Sequence, residues 1–386
     1  MTYSQNLSKF SLGLAAISVC AVGLTMAPPA DAQKLQAVTI RIASDVSPPP
    51  HPAAIAQEFF KERLAKVIPG SKLRIFTAGG LYNVPEAVEA MRDGNLEMTW
   101  GQFGKSAQID PYMSIVNGPM LLNTPGAMNS LDKLDTFKFL KTRMSNVHGV
   151  KIFGTAHISM YIGLGAGERL LKPADFKGKK IRSTGPAENV ALKKWGANPV
   201  TMAFGDVPPA LQTKVVDGLI TSLGGFISVK DQAPYFTIAG INGMVGDYYW
   251  IGASEKWWNK LNKPTQTALQ NLIVDEVIPF QKKINWCNDK RVLDLYHTKD
   301  PSKPGIYIMT GSQQKVLADL LGDATTDWVK AETPADANPW VDKFVQQAKA
   351  ASKSNPLGST ALEKTDCSEF SGWFKRFAKK KKKKKT

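Results

Sequence analysis

The sequence predicts an α/β protein of two domains built on largely parallel sheets. Its 386 residues, 43% of them apolar, are enough for two hydrophobic cores, because single cores stop growing at roughly 250–300 residues. The stretch from Lys180 to Ile220 runs through five alternating strand and helix patterns. Such alternation builds parallel sheets, whose ligands bind beyond the carboxyl ends of the strands. The same alternation recurs between Ala37 and Trp100.

The chain opens with Lys9, an apolar stretch from Leu12 to Met26, and the small-x-small site Ala30-Asp31-Ala32. This is the pattern of a secretory signal cleaved after Ala32. A membrane anchor fits less well, since the apolar run is about 15 residues and a span needs ~20. A lipid-bearing Cys20 would need a small residue before it, and Val19 is not one. No later segment has the length and apolarity of a span.

Ala37–Ala43 is short and β-branched, hence a strand, and the proline-rich loop Ser44–Pro52 follows. Ala53–Val67 carries helical spacing, Lys72–Phe76 is a strand, Val84–Met91 is a helix closed by Asp93-Gly94, and Leu96–Trp100 is a third strand. Thr155–Leu164 reads as one strand. The following Gly163-Leu164-Gly165-Ala166-Gly167 is not a dinucleotide loop, because Glu168 stands where a third glycine is needed, and no P-loop lysine motif occurs. Small residues at a crossover, where backbones pass closely, account for it better.

The central unit runs from the strand Lys180-Ile181-Arg182, through the turn Ser183–Pro186, to a helix with Val190, Leu192 and Trp195 as apolar positions. A strand at Ala197–Met202, a helix through Ala210–Thr213 and a strand at Val215–Ile220 complete it. Arg182 ends one strand, and Thr221 and Ser222 end another. A guanidinium at a strand end suits a carboxylate, which its rigid fork meets with two parallel hydrogen bonds. A surface salt bridge uses the same residue equally well, so spacing alone leaves both open. Further on, Asp247–Ile251 is a strand with three successive aromatics, of which Tyr248 fits either core or cleft; Trp257 and Trp258 fit the core. Pro264 to Leu295 is mostly helical, with Pro279 predicted to kink or break it. From Val341 the composition is that of a Ser/Lys/Asn-rich linker, followed by Trp373-Phe374-Lys375-Arg376-Phe377 and Lys379–Lys385. That tail could touch an anionic surface, but a solvated tail is the preferred reading.

The net charge is +16, and Lys379–Lys385 supply seven of it, leaving +9 for the body. This suits long-range attraction of anions. Nothing resembles the interleaved basic and aromatic elements of nucleic-acid binders. The four histidines, His51, His148, His157 and His297, show no metal-ligand spacing, and His51 reads as a helix-start residue. There is no G-x-S-x-G elbow, zinc motif or credible Ser/His/Asp set, which speaks against a hydrolase. After cleavage two cysteines remain, Cys287 and Cys367. An oxidising compartment permits a disulfide, and two buried thiols remain the alternative.

The ordered run Asp175–Arg182, Gly196-Ala197-Asn198-Pro199-Val200, Met202–Val207, Ala210–Thr213 and Val215-Val216-Asp217-Gly218 resembles the signature of solute-binding proteins of TRAP (tripartite ATP-independent periplasmic) transporters. The likeness extends over about Thr39 to Ala331. It implies a periplasmic-binding-protein-like fold with a hinged cleft and a long helix spanning both domains. The implied limits are a signal at 1–32, domain I at 33–155 with about 246–275, domain II at 156–245 with about 276–340, and an extension at 341–386. Arg182 takes the role of the carboxylate-pairing arginine and Phe204 that of the aromatic packed on the ligand. Asp45 and Gln102 match positions that touch ligand, Gln102 standing where an acid is common. Thr221 replaces a usual asparagine, and Pro208 a common tyrosine. The place of a second arginine falls at Tyr161-Ile162-Gly163, so a monocarboxylate is favoured, its apolar or aromatic body against Trp100, Phe204 and Tyr248. A C4-dicarboxylate or keto acid is the alternative within the family, and a secreted hydrolase the alternative of another class. The resemblance further implies a periplasmic monomer, not an enzyme, that binds a small organic acid and meets TRAP membrane subunits, with no cofactor, metal or nucleic acid.

Overall fold

The computed structural model of the protein describes residues 34–122, 124–239, 244–355 and 359–383. The secretory-signal expectation, with cleavage after Ala32, lies outside the described residues. Two sheets carry the fold. The first holds strands β1 (Thr39–Ser44), β2 (Lys72–Phe76), β3 (Met98–Gln102) and β4 (Val150–Ser159), together with a later strand, Asp247–Ser254. The second is built from β5 (Ile162–Ala166), β6 (Lys180–Ser183), β7 (Asn198–Thr201), β8 (Gly218–Ser222) and β9 (Tyr235–Ile238). With Asp247–Ser254 as β10, His297–Thr298 as β11 and Gly305–Ile308 as β12, the orders are β2-β1-β3-β10-β4 and β11-β12-β9-β5-β8-β6-β7.

Most pairs are parallel, as the alternating pattern predicts. The exception in each sheet is the strand that arrives from the other one: β10 runs antiparallel to β3 and β4, and β5 antiparallel to β8 and β9. The single strand expected at Thr155–Leu164 is therefore two. β4 ends in the first sheet at Ser159, Met160 and Tyr161 cross over, and β5 enters the second. Asp289 holds the crossing: its Oδ2 accepts from Ser159 Oγ at 2.8 Å and from Met160 N at 2.7 Å. The run of small residues fits the crowding here, since a Cβ on Gly163 would sit 2.3 Å from the Thr237 carbonyl oxygen.

The helices obey local rules. Helix α1 (Pro52–Val67) starts on a proline, which needs no N–H donor there. Helix α2 (Val84–Asp93) has a capping box between Asn83 and Glu86 and ends on Gly94 at φ 84°. Helices α3 (Pro186–Trp195), α4 (Val207–Gln212) and α5 (Leu223–Val229) connect the second sheet's strands. The break expected at Pro279 is a π-helical turn, Leu272–Val277, directly before helix α6 (Ile278–Tyr296), where Pro279 occupies the first turn. Asp289 and Cys287 both lie on α6.

The C-terminal part corrects the sequence expectation. Helix α7 (Asn338–Ser354) buries Val341, Phe344, Ala348 and Ala351 on one stripe, so the residues read as linker are a core helix. Charged and small residues on its other face hid that stripe from a compositional reading. Beyond it, Phe370 and Phe377 are buried around the start of helix α8 (Ser371–Lys383). Phe280 on α6 stacks on Phe59 of α1 at 4.0 Å and meets Phe370 at 5.4 Å and Trp373 at 5.3 Å. Cys287 and Cys367 form a disulfide with Cα atoms 5.3 Å apart. Among the described residues no helix is long and apolar enough to cross a membrane.

Candidate ligand-binding site

The carboxyl ends of the parallel strands of both sheets face one cavity, which holds about 520 Å³ of atom-free space, mouth included. Gln102 ends β3, Asp45 follows β1, Thr221 and Ser222 end β8, and Arg182 sits near the end of β6; all five line the cavity. β10, being antiparallel, contributes its first residues, Asp247 and Tyr249, at the same edge. Ile158, Thr184, Phe204 and Ser228 line it as well.

Arg182 is 2% exposed, and the backbone fixes its guanidinium. Nε and Nη2 donate to the Met202 carbonyl oxygen at 3.1 and 3.0 Å, and Nη1 donates to the Ile220 carbonyl oxygen at 2.9 Å. Five N–H groups minus these three leave one on each terminal nitrogen, free to donate to a carboxylate. The Phe204 ring lies 5.8 Å from the guanidinium carbon, a cation–π distance. Burial lowers the pKa of Arg182, against the raising influence of Glu188, Asp247 and Asp45.

Three acids balance the cations. Asp45 Oδ2 pairs with Lys105 Nζ at 2.7 Å, both side chains being 9% exposed. Asp247 accepts from Gln102 Nε2 at 2.7 Å and from Asn117 Nδ2 at 3.1 Å. Burial pushes the Asp247 carboxyl up to about 6, although those two donors and Arg182 hold it down. Glu188, near the start of α3, accepts from Thr184 N at 2.6 Å and Thr184 Oγ1 at 2.7 Å. Burial, then the charge of Asp247, push it up to about 7. Arg182 is thus held near Glu188 and Asp247, whose ionisation burial opposes, and among the described residues it has no ion-pair partner. His51 lines the cavity too. It caps α1 by accepting from Ala53 N through Nδ1 at 3.3 Å, so its proton sits on Nε2, and burial lowers its pKa to about 4.

Of the residues singled out from sequence, Arg182, Phe204, Thr221, Gln102 and Asp45 come together here, and Tyr161, Trp100 and Tyr248 do not. Trp100 is fully buried beneath the cavity edge, its indole N–H donating to Gln281 Oε1 at 2.7 Å. Tyr248 is fully buried on the opposite face of β10 from Asp247 and Tyr249, and its hydroxyl donates to the Leu122 carbonyl oxygen at 3.2 Å. Tyr161 lies in the crossing with its ring 6.4 Å from Trp286. Period-two alternation from Gln102's partner Tyr249 would have chosen Tyr249 over Tyr248. Lys105 and Asp247 were missed, because no local spacing ties either to its partner 60 or 145 residues away. Among the described residues no cluster of His, Cys, Asp and Glu could hold a metal ion.

Comparison with known proteins agrees with this geometry. The model of the bacterial extracellular solute-binding protein family 7 matches residues 43–302, two thirds of the chain. A 2,3-diketo-L-gulonate-binding periplasmic protein of Escherichia coli is 24% identical over 74% of this chain and 85% of its own. A C4-dicarboxylate-binding periplasmic protein of Vibrio cholerae is 26% identical over 58% of this chain and 67% of its own. In fold, a sugar acid binding protein from Advenella mimigardefordensis, solved with galactonate, superposes with a TM-score of 0.73 at 19% identity, over 82% of this chain and 100% of that one. The strand-end cavity, the two-sheet fold and the family match converge, and the chain belongs to family 7 of the bacterial extracellular solute-binding proteins, the periplasmic receptors of TRAP-type transporters.

Proposed function

We propose that this protein captures a small organic acid by one carboxylate, held end-on by Arg182, and presents it to TRAP membrane subunits. The observation that supports this is the guanidinium: it lines the cavity, three of its five N–H groups are spent on backbone carbonyls, and one remains on each terminal nitrogen. A fork fixed before the ligand arrives costs no side-chain ordering on binding. Capture works by closing two lobes, residues 33–155 with about 246–275 against 156–245 with about 276–340, through the crossing at Met160-Tyr161.

The rest of the ligand is polar. The expected apolar or aromatic body loses two of its three rings, because Trp100 and Tyr248 are in the cores. Hydroxyls, amide and imidazole take their place: Ser47, Thr184, Thr221, Ser222, Ser228, Gln102 and His51. Such a lining favours a hydroxy or sugar acid, stacked on Phe204 and Tyr249. One observation favours a second reading, a diacid or keto acid. Lys105 is a second cation in the cavity, although a diacid would have to draw it from Asp45 at 2.7 Å. The relatives that bind 2,3-diketo-L-gulonate and C4-dicarboxylates keep that reading in play.

Calorimetry of the purified protein with galactonate, L-gulonate, phenylacetate and succinate tests both. A hydroxy acid should bind at least tenfold tighter than the others. Succinate as the tightest ligand would overturn the one-carboxylate reading in favour of the diacid.

A further inference from the structure

A second chamber adjoins the first. Its walls are the proline-rich turn Pro48–Pro52, Ile227 and Ser228 of α5, and Asn288 and Arg291 of α6. Ser47, His51, Gly224 and Ser228 line both cavities. They meet at Gly224, where a Cβ would stand 3.5 Å from Asn288 Nδ2, 3.7 Å from Ser222 Oγ and 3.8 Å from His51 Cδ2. Ser222 belongs to the first cavity and Asn288 to the second, so the two are separated at this point by little more than the space a side chain would fill.

The polar groups deep in the chamber and at its rim are donors in search of acceptors. Asn288 is 3% exposed, and its Nδ2 has no hydrogen-bond partner among the described residues. Its Oδ1 accepts from Arg291 Nη2 at 2.9 Å, which fixes the amide with the NH2 left over. A buried donor without an acceptor is destabilising, and such a group in a cavity wall marks where an acceptor belongs. Arg291 spends one N–H on Asn288, and its guanidinium lies 5.1 Å from the centre of the Phe374 ring, which steadies it at the rim. Among the described residues no Asp or Glu lines the chamber, and its prolines and Ile227 form an apolar wall.

We propose that this chamber is a second acid-binding subsite: Asn288 Nδ2 and Arg291 donate to a carboxylate carried on an apolar stem, which packs on the proline turn. It rests on the reading that Arg182 anchors a carboxylate in the first cavity, and it assigns the second carboxylate to the distal end of the same, elongated ligand. With no second arginine beside Arg182 and Lys105 tied to Asp45, only compact diacids are then disfavoured. A separate small acid has the same chemistry, and the test tells the two sources apart.

The test is calorimetry of the whole protein with α,ω-diacids lengthening from malonate to suberate, and with monoacids of matching length. The expected result is a jump in affinity of at least tenfold at the chain length that spans both cavities, for diacids only, at one ligand per protein. Arg291→Met and Asn288→Ala should each bring the ratio of long diacid to monoacid affinity back towards one; Arg291 is at the rim, so its variant folds. Two short monoacids bound per wild-type protein, falling to one in Arg291→Met, keep the subsite and overturn the single elongated ligand. A series without a jump, or a jump that survives both substitutions, overturns the subsite. Arg182→Ala keeps the two proposals apart: if it removes binding while the series is flat, only the subsite fails, and if acids bind it as before, the proposed function fails.

Discussion

Replacing Arg182 tests how the cavity holds an acid, and the structure sets the size of the effect. The two N–H groups facing the cavity would each lose a charge-assisted hydrogen bond, about 1.5–3 kcal/mol apiece. Together that is about 3–6 kcal/mol, or roughly 150-fold to more than 10,000-fold in Kd. Arg182→Ala also strands the Met202 and Ile220 carbonyl oxygens that the guanidinium satisfies, and removes the cation that holds Glu188 and Asp247 down. Part of its effect will therefore be on stability. Arg182→Met fills the same space without the charge, and Arg182→Lys keeps the charge without the fork. All three should bind acids at least 100-fold more weakly in calorimetry, while circular dichroism shows the native spectrum. If a folded Met or Ala variant keeps affinity within about threefold of the wild type, the anchor is elsewhere and the cavity's central argument fails.

Three further expectations follow from particular contacts. The disulfide closes a separation of 80 residues, for which loop entropy gives about 4 kcal/mol; Cys367→Ser should lower the melting temperature, and mass spectrometry of the unreduced wild type should find no alkylatable thiol at Cys287 or Cys367. Burial pushes Asp289 up to about 8, above its unfolded value of about 3.9, so the folded state binds more protons in between and stability falls as pH rises from about 4 to 8; Asp289→Asn should flatten the fall in melting temperature over that window, and an unchanged slope would refute the assignment. Tyr249→Phe should change acid affinity severalfold, whereas Tyr248→Phe should cost about 1 kcal/mol of stability from its lost bond to Leu122 and leave affinity alone, which paired titration and melting curves would show.

The sequence disclosed what depends on local order. Alternating patterns placed β1, β2, β3, β6 and β7 within about two residues, because burial of β-branched runs and glycine or proline punctuation act over short distances; β4 and β5 were merged, and β9, β11 and β12 were not read. The place of Arg182 at a strand end was legible because its strand, turn and helix are contiguous, while its pairing with a carboxylate was implied only by the family resemblance. What escaped was set by contacts between distant segments. Lys105 is in the site because Asp45, on another strand, faces it. Tyr248 was left open between core and cleft because three aromatics in a row do not say which ring faces the cleft until the pairing of β10 with β3 is known. The core helix at Asn338–Ser354 was missed because its four buried positions are outnumbered by lysine, serine and glutamine on the exposed face, and composition weighs all positions alike.

The same topology that hid those contacts explains why the site lies where it does. Each sheet carries one strand that has come from the other, and each crossing leaves a polar group at the shared edge. The second crossing delivers Asp247 at the first residue of β10, where Gln102 of β3 and Asn117 grip both of its carboxylate oxygens. The first is held by Asp289, whose bonds to Ser159 and Met160 tie it to α6. Helix α6 therefore carries the pin of the crossing, the disulfide that fastens the C-terminal extension, and the donors of the second chamber. A ligand that engaged Arg182 in one sheet and Asn288 and Arg291 on this helix would bear on the segment that joins the two sheets. Recognition of the ligand's length and closure of the lobes would then draw on the same residues.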